Sequence, residues 1–241
     1  SNEHLKSFLK KSDFANKYQF ELPVVSKPVF KLDTFNITQF GANQDLKFNN
    51  ASAIQQAINE CSKQGGGTVL IPSGYWNTGP IELKSYVNLH LSTGAILQFS
   101  QKSSDFPLVK TFWEGVEAIR VKSPISGRNL QKIAITGNGI IDGGGQAWRP
   151  VKKQKLTTGE WEKLIQKGFL NDKKDTWYPT AAALKGAADP NAGRTDAGYT
   201  LESGELIKEF LRPNLLSLIE CDEVLLEEFT FQNSPAWTVH P

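Results

Sequence analysis

Paired carboxylates are common equipment for general acid–base work. Three places in this chain carry acidic residues that could serve that purpose. Asp142 precedes Gly143, Gly144 and Gly145 in the run from Asn129 to Gly145, NLQKIAITGNGIIDGGG. An Asp before glycines is a turn-former whose side chain bonds nearby backbone, and Asp142 is read in that role. Glu227 and Glu228 are adjacent, and adjacent residues of a strand point to opposite faces, so the two cannot share one site. Glu220, Asp222 and Glu223 read as a solvated turn. Cys61 and Cys221 stand alone and read as buried hydrophobes, while His4, His90 and His240 are scattered. No metal-ligand spacing accompanies them, so neither a metal nor another cofactor is expected. Basic residues crowd one interval: Lys152, Lys153, Lys155, Lys163, Lys167, Lys173, Lys174 and Arg194. A solvated surface is the plain reading of that interval. The alternative is an electropositive wall over a groove that takes an acidic ligand.

Bulk composition narrows the classes. The 241 residues are 39% hydrophobic and 22% charged, an ordinary globular composition. Lys+Arg of 27 against Asp+Glu of 25 leaves +2, so no basic excess suggests nucleic acid. No apolar run approaches a membrane span, and no basic amphipathic helix suggests a membrane surface. The first residues, SNEHLKSFLK, lack the apolar stretch of a signal peptide. The chain does not begin with Met, which reads as a processed or engineered form from which an export signal could have been removed. Met is absent throughout, and no physical reason for that is evident.

Positioning elements emerge from periodicity. Residues 1–33 read as a lead-in: Leu5, Phe8 and Leu9 fit one face of a short helix, and Pro23 and Pro28 break the chain after it. Phe35 to Ala42 reads as a short strand ending in a turn, and Asp45 to Asn50 supplies helix N-cap residues. Ala53, Ile54, Ala57, Ile58 and Cys61 make an apolar stripe that predicts a helix over 51–63, stopped by Gly65, Gly66 and Gly67. Short strands then recur between Gly, Pro and Asn: Thr68–Ile71, Ile81–Leu83, Val87–Leu91, Ile96–Phe99, Ile133–Ile135, Ile140–Ile141, Leu215–Ile219, Val224–Leu226 and Phe229–Phe231. Leu89-x-Leu91 and Ile133-x-Ile135 share one scheme, 44 residues apart, which reads as two coils of about 20–25 residues. Short strands at this period point to a β-solenoid, in which stacked coils bury one continuous core and the helix 51–63 caps the open end. A β-sandwich is the alternative. Gln146 to Pro213 interrupts the strands as an insertion. Trp161, Leu164 and Ile165 lie at helical spacing there, as do Leu206, Ile207, Phe210 and Leu211, with irregular loop over Trp177–Pro179 and 186–200.

Seven pieces, in order, resemble the polygalacturonases of glycoside hydrolase family 28. They are Phe35-Asn-Ile-Thr-Gln-Phe-Gly-Ala42, the capping helix, Gly65-Gly-Gly-Thr-Val-Leu-Ile-Pro72, Thr78-Gly-Pro-Ile-Glu-Leu-Lys-Ser85, Val87-Asn-Leu-His-Leu91, Ile135-Thr-Gly-Asn-Gly-Ile-Ile-Asp-Gly143 and Phe231-Gln-Asn-Ser-Pro-Ala-Trp237. The resemblance covers roughly 34–145 and 212–241 and looks like the N-terminal half of the family. The ending Trp237-Thr-Val-His-Pro241, with the long insertion, resembles bacterial exo-acting members more than fungal endo-acting ones.

The resemblance implies an all-β fold: a right-handed parallel β-helix over 34–241, with an N-terminal capping helix and a loop-and-helix insertion over 146–213. It implies inverting hydrolysis of α-1,4-galacturonosyl bonds in pectin, without a metal, by an acid and a base about 6.5–9.5 Å apart. The family's catalytic motifs, Asn-Thr-Asp-Gly-x-Asp, Asp-Asp, Gly-His-Gly and Arg-x-Lys, are absent from this sequence. The catalytic residues are therefore expected after Pro241, and the chain alone is expected to be inactive. Trp237, which can stack on a sugar face, and His240, which can bond a carboxylate or hydroxyl, are the substrate-contact candidates. Asn233 fits an Asn ladder in the coil turns. The implied partner is an acidic polysaccharide, with no nucleic acid and no membrane, bound by a monomer that is secreted or periplasmic. A non-catalytic polysaccharide-binding β-helix and a rhamnogalacturonan or xylogalacturonan hydrolase are the alternatives. A lyase is less favoured, since no Ca²⁺-type acidic cluster is visible.

Overall fold

The computed structural model describes residues 26–240. The segment containing Leu5, Phe8 and Leu9 lies outside them.

The chain winds in coils, and each coil after the first contributes one strand to each of three parallel sheets. The first coil supplies β1 (Thr34–Asn36) and the helix α1 (Ala51–Lys63). The second supplies β2 (Gly67–Ile71), β3 (Gly74–Thr78) and β4 (Ile81–Glu82). The third supplies β5 (Val87–Leu91) and β6 (Ala95–Phe99), then a hairpin of β7 (Leu108–Trp113) and β8 (Val116–Val121), then β9 (Ile125–Arg128). The fourth supplies β10 (Gln131–Gly137) and β11 (Ile140–Asp142). It then leaves on an excursion holding β12 (Val151–Lys152), β13 (Phe169–Leu170) and β14 (Thr176–Tyr178), and returns as β15 (Leu216–Ile219). The last described coil is β16 (Asp222–Glu227), β17 (Thr230–Gln232) and β18 (Val239–His240). The first sheet runs β1-β2-β5-β10-β16, the second β3-β6-β11-β17, the third β4-β9-β15-β18, and every pairing in them is parallel. This is the parallel β-helix expected of the sequence; a sandwich would show antiparallel ladders.

Register explains why single residue types recur. Val69 opposes Leu89, Leu89 opposes Ile135 and Ile135 opposes Leu226, so one inward row runs through the stack. Trp76, Leu97, Ile141 and Phe231 form a second row, and Ile81, Ile125, Leu216 and Val239 a third. In the middle coils these side chains are fully or almost fully buried. Removing one such aliphatic side chain to Ala costs about 2–5 kcal/mol. At the last coil the same rows surface: Val224 and Leu226 are each 39% exposed and Val239 is 42% exposed.

Leu89 and Ile135 sit on adjacent coils, so their interval is one coil and not two. The β7–β8 hairpin lengthens that coil. Its turn, Glu114-Gly115, has φ of 50° and 84°, the two left-handed residues of a type I′ turn. The helix α1 forms as its stripe requires, burying Ala53, Ile54, Ala57, Ile58 and Cys61. Its N-cap residue Asn50 does not cap with its side chain. That amide is buried and ties Asn43 to Asn77 instead, while Asn49 Oδ1 accepts from Ala51 N. Ile37–Phe40 is a 3₁₀ turn rather than strand, because Asn36 accepts from Thr38 N and bends the chain after β1. Gly137 (φ 98°) marks where coils touch most closely: a Cβ there would meet the Leu91 carbonyl oxygen at 2.1 Å.

The excursion between β11 and β15 has structure of its own. β12, β14 and β13 form an antiparallel sheet, so Trp177 and Tyr178 lie in a strand, not in loop. The excursion also holds helices α2 (Thr158–Leu164), α3 (Ala181–Ala187) and α4 (Leu201–Glu205). The predicted helical face Leu206–Leu211 is divided instead. Ile207 and Leu211 are buried, Leu206 is 62% exposed, and only Lys208–Phe210 forms a 3₁₀ turn. The excursion packs on the hairpin: Ala118 bridges Arg194, and Ile119 N donates to the Gly193 carbonyl at 2.7 Å.

Candidate functional site

The outward row of the second sheet holds Asp142, and its surroundings decide its role. Asn77, Gln98, Asp142 and Gln232 are in register. Asp142 Oδ1 accepts from Gly144 N at 2.8 Å and Gln98 Nε2 at 3.1 Å. Oδ2 accepts from Gln232 Nε2 and Asn233 Nδ2, both at 2.7 Å. Burial raises the carboxyl pKa, but the bonds from Gly144, Asn233, Gln232 and Gln98 outweigh it and hold the group below its ordinary value. With four donors and 6% exposure, Asp142 is a tie between coils. Asn233 is part of that tie, in a left-handed turn (φ 51°).

The outward row of the third sheet is different. Glu82, Ser126, Ser217 and His240 are in register along β4, β9, β15 and β18. The first three floor a cleft of about 260 Å³. The β7–β8 hairpin walls one side with Lys110, Phe112, Trp113 and Arg120, and Arg212 and Asn214 close the deep side where the excursion returns. Lys122 and Arg128 complete the lining. Five cations therefore face one carboxylate. Glu82 is bonded by Lys122 at 2.9 Å and lies 3.7 Å from Lys84, and the Lys122 bond holds its carboxyl below the ordinary value against burial. Lys110 lies 3.4 Å from Glu117. Among the described residues, Arg120, Arg128 and Arg212 have no carboxylate within 4.0 Å.

Arg120 is 8% exposed. Its guanidinium carbon lies 3.5 Å from the centroid of the Trp113 ring, and its Nη2 donates to the Arg212 carbonyl at 2.6 Å. Burial, and then the neighbouring Arg212, push its pKa down to about 9. Burial and then Arg149 lower that of Arg212, with Tyr178 opposing. Among the described residues, three buried polar atoms of side chains around the cleft have no partner: Arg120 Nε, Ser126 Oγ and Asn214 Oδ1. Native proteins leave few such atoms unpaired.

His240 continues the floor row of this cleft, opposite Ser217, and is half-buried. Trp237 is 63% exposed, does not line the cleft, and is fixed by its backbone: its carbonyl accepts from Leu215 N at 3.0 Å and Ser234 Oγ at 2.8 Å. The excursion lysines do not line it either, and Arg194 pairs with Asp196. Sequence reasoning puts positive charge on the excursion, whereas the cleft takes its cations from β7 to β9 and from Arg212. The signal that marks the hairpin is Glu114-Gly115 between two apolar runs. His90 is accounted for elsewhere, 2.8 Å from Thr136 Oγ1 on the first sheet. Among the described residues no group of His, Cys, Asp and Glu could hold a metal, and no helix is long and apolar enough to cross a membrane.

The chain is thus a right-handed parallel β-helix with a cationic cleft over one sheet. No family model matches the chain. It is 28% identical over 215 residues to a probable polygalacturonase of Vitis vinifera, across 86% of this chain and 33% of that protein. It is 36% identical over 118 residues to an exo-poly-α-D-galacturonosidase of Dickeya chrysanthemi, across 46% and 19% respectively. A hyperthermoactive exopolygalacturonase from Thermotoga maritima superposes with a TM-score of 0.63 at 27% identity, over 88% of this chain and 44% of that one. A family 28 exopolygalacturonase of Yersinia enterocolitica gives 0.55 at 26%, over 85% and 36%. The chain is thus a relative of the family 28 polygalacturonases, as its motifs suggested. It spans about a third or less of the length of those two curated relatives.

Proposed function

We propose that the protein is a pectin-degrading glycoside hydrolase that binds the acidic chain along the third sheet. The observation that carries this reading is the cleft itself, where three guanidiniums without carboxylate partners among the described residues stand over a polar floor. A polygalacturonate chain offers one carboxylate per sugar, the ligand such a cleft would attract. The family relation supports the same substrate class and an exo mode of attack.

Hydrolysis with inversion needs an acid to protonate the leaving oxygen and a base to activate water. Asp142 is committed to four hydrogen bonds and serves neither role. We place the catalytic aspartates on a coil stacked against β16 to β18, where the inward rows reach the surface at Val224, Leu226 and Val239. His240 then stands between the described floor and the reacting coil, and contacts substrate; Trp237 is the exposed aromatic beside it. Pectin is a wall polymer, so the reading entails a secreted or periplasmic protein. The test is reducing-end release from polygalacturonate by the full-length protein, run beside xylogalacturonan and rhamnogalacturonan. Release from polygalacturonate is expected; release from none of the three overturns the reading.

A further inference from the structure

A second groove lies over the outward face of the second sheet and shares no lining residue with the cleft. Its volume is about 550 Å³, within the usual range of ligand pockets. Trp76 points inward and is 1% exposed, so alternation turns Tyr75 and Asn77 outward, and Gln98 stands in register beside Asn77. These three floor the groove, the loop over 46–49 walls one side and the turn over 100–105 the other. Both walls are held in shape. Asp45 Oδ1 accepts from Lys47 N at 2.8 Å, and the Asp45 carbonyl accepts from Phe48 N at 3.0 Å. Ser100 Oγ donates to Asp105, and Ser103 Oγ donates to Glu209 at 2.6 Å. The floor amides commit their donor ends to the protein: Asn77 Nδ2 to the Phe48 carbonyl at 3.3 Å, Gln98 Nε2 to Asp142 Oδ1 at 3.1 Å. Among the described residues, Asn77 Oδ1, Gln98 Oε1 and Tyr75 Oη have no hydrogen-bond partner. Burial, and then Asp142, raise the Tyr75 pKa, so its phenol keeps its proton at neutral pH and can donate.

We propose that this groove is a second, non-catalytic binding site for a polysaccharide chain, in which the Tyr75 ring packs on a sugar face and the Asn77 and Gln98 side-chain oxygens accept from its hydroxyls. The floor carries no formal charge. It offers two amide acceptors and a phenol that donates and accepts, around one aromatic ring, which suits a ligand dense in hydroxyls. Leu46, 68% exposed, adds an apolar contact at the rim. Lys47 and Lys102, one on each wall, have no carboxylate within 4.0 Å among the described residues. Both are exposed, so their attraction for an acidic chain is largely screened by salt. The groove draws its walls and floor from the first three coils, which repeat at about 4.8 Å, so it runs along the solenoid axis and takes a linear chain lengthwise. The inference goes beyond the third-sheet cleft and takes from the reading above only the choice of polymer. Recognition through hydroxyls treats acid and methyl ester alike, and occupancy holds the protein on its polymer without taking part in bond cleavage.

The test is hydrogen exchange read by mass spectrometry on the full-length protein, titrated with polygalacturonate and with its fully methyl-esterified form. Both polymers are expected to protect the amides of 44–49 and 100–105, at concentrations within about threefold of each other. Tyr75→Phe keeps the ring and loses the hydroxyl, and is expected to weaken that protection about two- to tenfold. Tyr75→Ala loses the ring as well, and is expected to weaken it at least about tenfold, with circular dichroism showing the variant folded. Both variants are expected to cleave tri-galacturonic acid at the wild-type rate. The groove is refuted if neither polymer protects these two segments, if only the acid does, or if Tyr75→Phe and folded Tyr75→Ala are protected like wild type. Cleavage of polygalacturonate by wild type in any of those cases leaves the polysaccharide reading standing. If neither polymer protects any part of the protein and neither is cleaved, both fail.

Discussion

Replacing Asp142 gives the most informative perturbation, because the residue looks catalytic in sequence and structural in space. Asp142→Ala leaves four donors without their acceptor. The Gly144 N–H is buried and Gln98 half-buried, and each sheltered donor costs about 1–2 kcal/mol when orphaned. Gln232 and Asn233 are exposed and can turn to water, for about 0.5 kcal/mol each. The expected loss is about 4 kcal/mol for Ala. Asp142→Asn keeps one acceptor but points an NH₂ at two donors, for about 2 kcal/mol, or roughly 4–8 °C in melting temperature for a domain this size. Urea unfolding followed by tryptophan fluorescence measures it. The sign with pH is fixed. The folded pKa is depressed, so the stabilisation is complete above the unfolded value near 4 and disappears as pH falls through the folded value. The gap between wild type and Asp142→Asn should be widest at neutral pH and close below about pH 4. An Asp142→Asn protein with wild-type stability but no activity on polygalacturonate would refute the reasoning and make Asp142 the catalytic acid.

Three further outcomes are expected. Gly137→Ala should destabilise by at least about 2 kcal/mol, since it combines a left-handed backbone with a Cβ 2.1 Å from a carbonyl; a cooperative melt at the wild-type temperature would contradict this. Cys61, buried and with its thiol pushed up to about 11 by desolvation and then by Asp33, should resist thiol reagents at pH 8 until the protein is denatured, while the half-buried Cys221 reacts in the native state; mass spectrometry of the labelled protein decides it. Glu82→Gln should free Lys122 and tighten polygalacturonate binding about two- to fivefold at low salt, with the gain shrinking by 0.5 M NaCl, read from KM.

The stack is legible in the sequence wherever side chains alternate strictly. Val87–Leu91, Ala95–Phe99 and the stripe of α1 are placed by their own periodicity. Coil length is not legible, because a hairpin can enter a coil without disturbing the strands on either side. Leu89 and Ile135 thus sit one above the other despite the residues between them. The cleft is legible only in part. His240 falls in its floor row, yet Arg120, Arg128 and Arg212 are isolated in sequence, and Arg212 joins the other two only because the next coil returns beside theirs. No local pattern encodes that. Trp177 and Tyr178 read as loop because a three-residue strand in a small sheet gives almost no alternation to detect.

Both excursions, the β7–β8 hairpin and the segment 143–215, leave after a strand of the second sheet and return into the third. Their lengths differ greatly, yet the parallel register beneath them is unbroken. The floor and the walls of the cleft therefore rest on different contacts, although both join one hydrophobic core. Nearest-neighbour coil contacts hold the floor, while a small hydrophobic seam between the excursions, Leu108, Ile119, Ile207 and Leu211, holds the walls. Hydrogen exchange should find the wall amides opening at lower free energy than the coil amides. Divergence in this fold can then rewrite what enters the cleft by replacing wall segments, while the ladder that carries them is inherited intact.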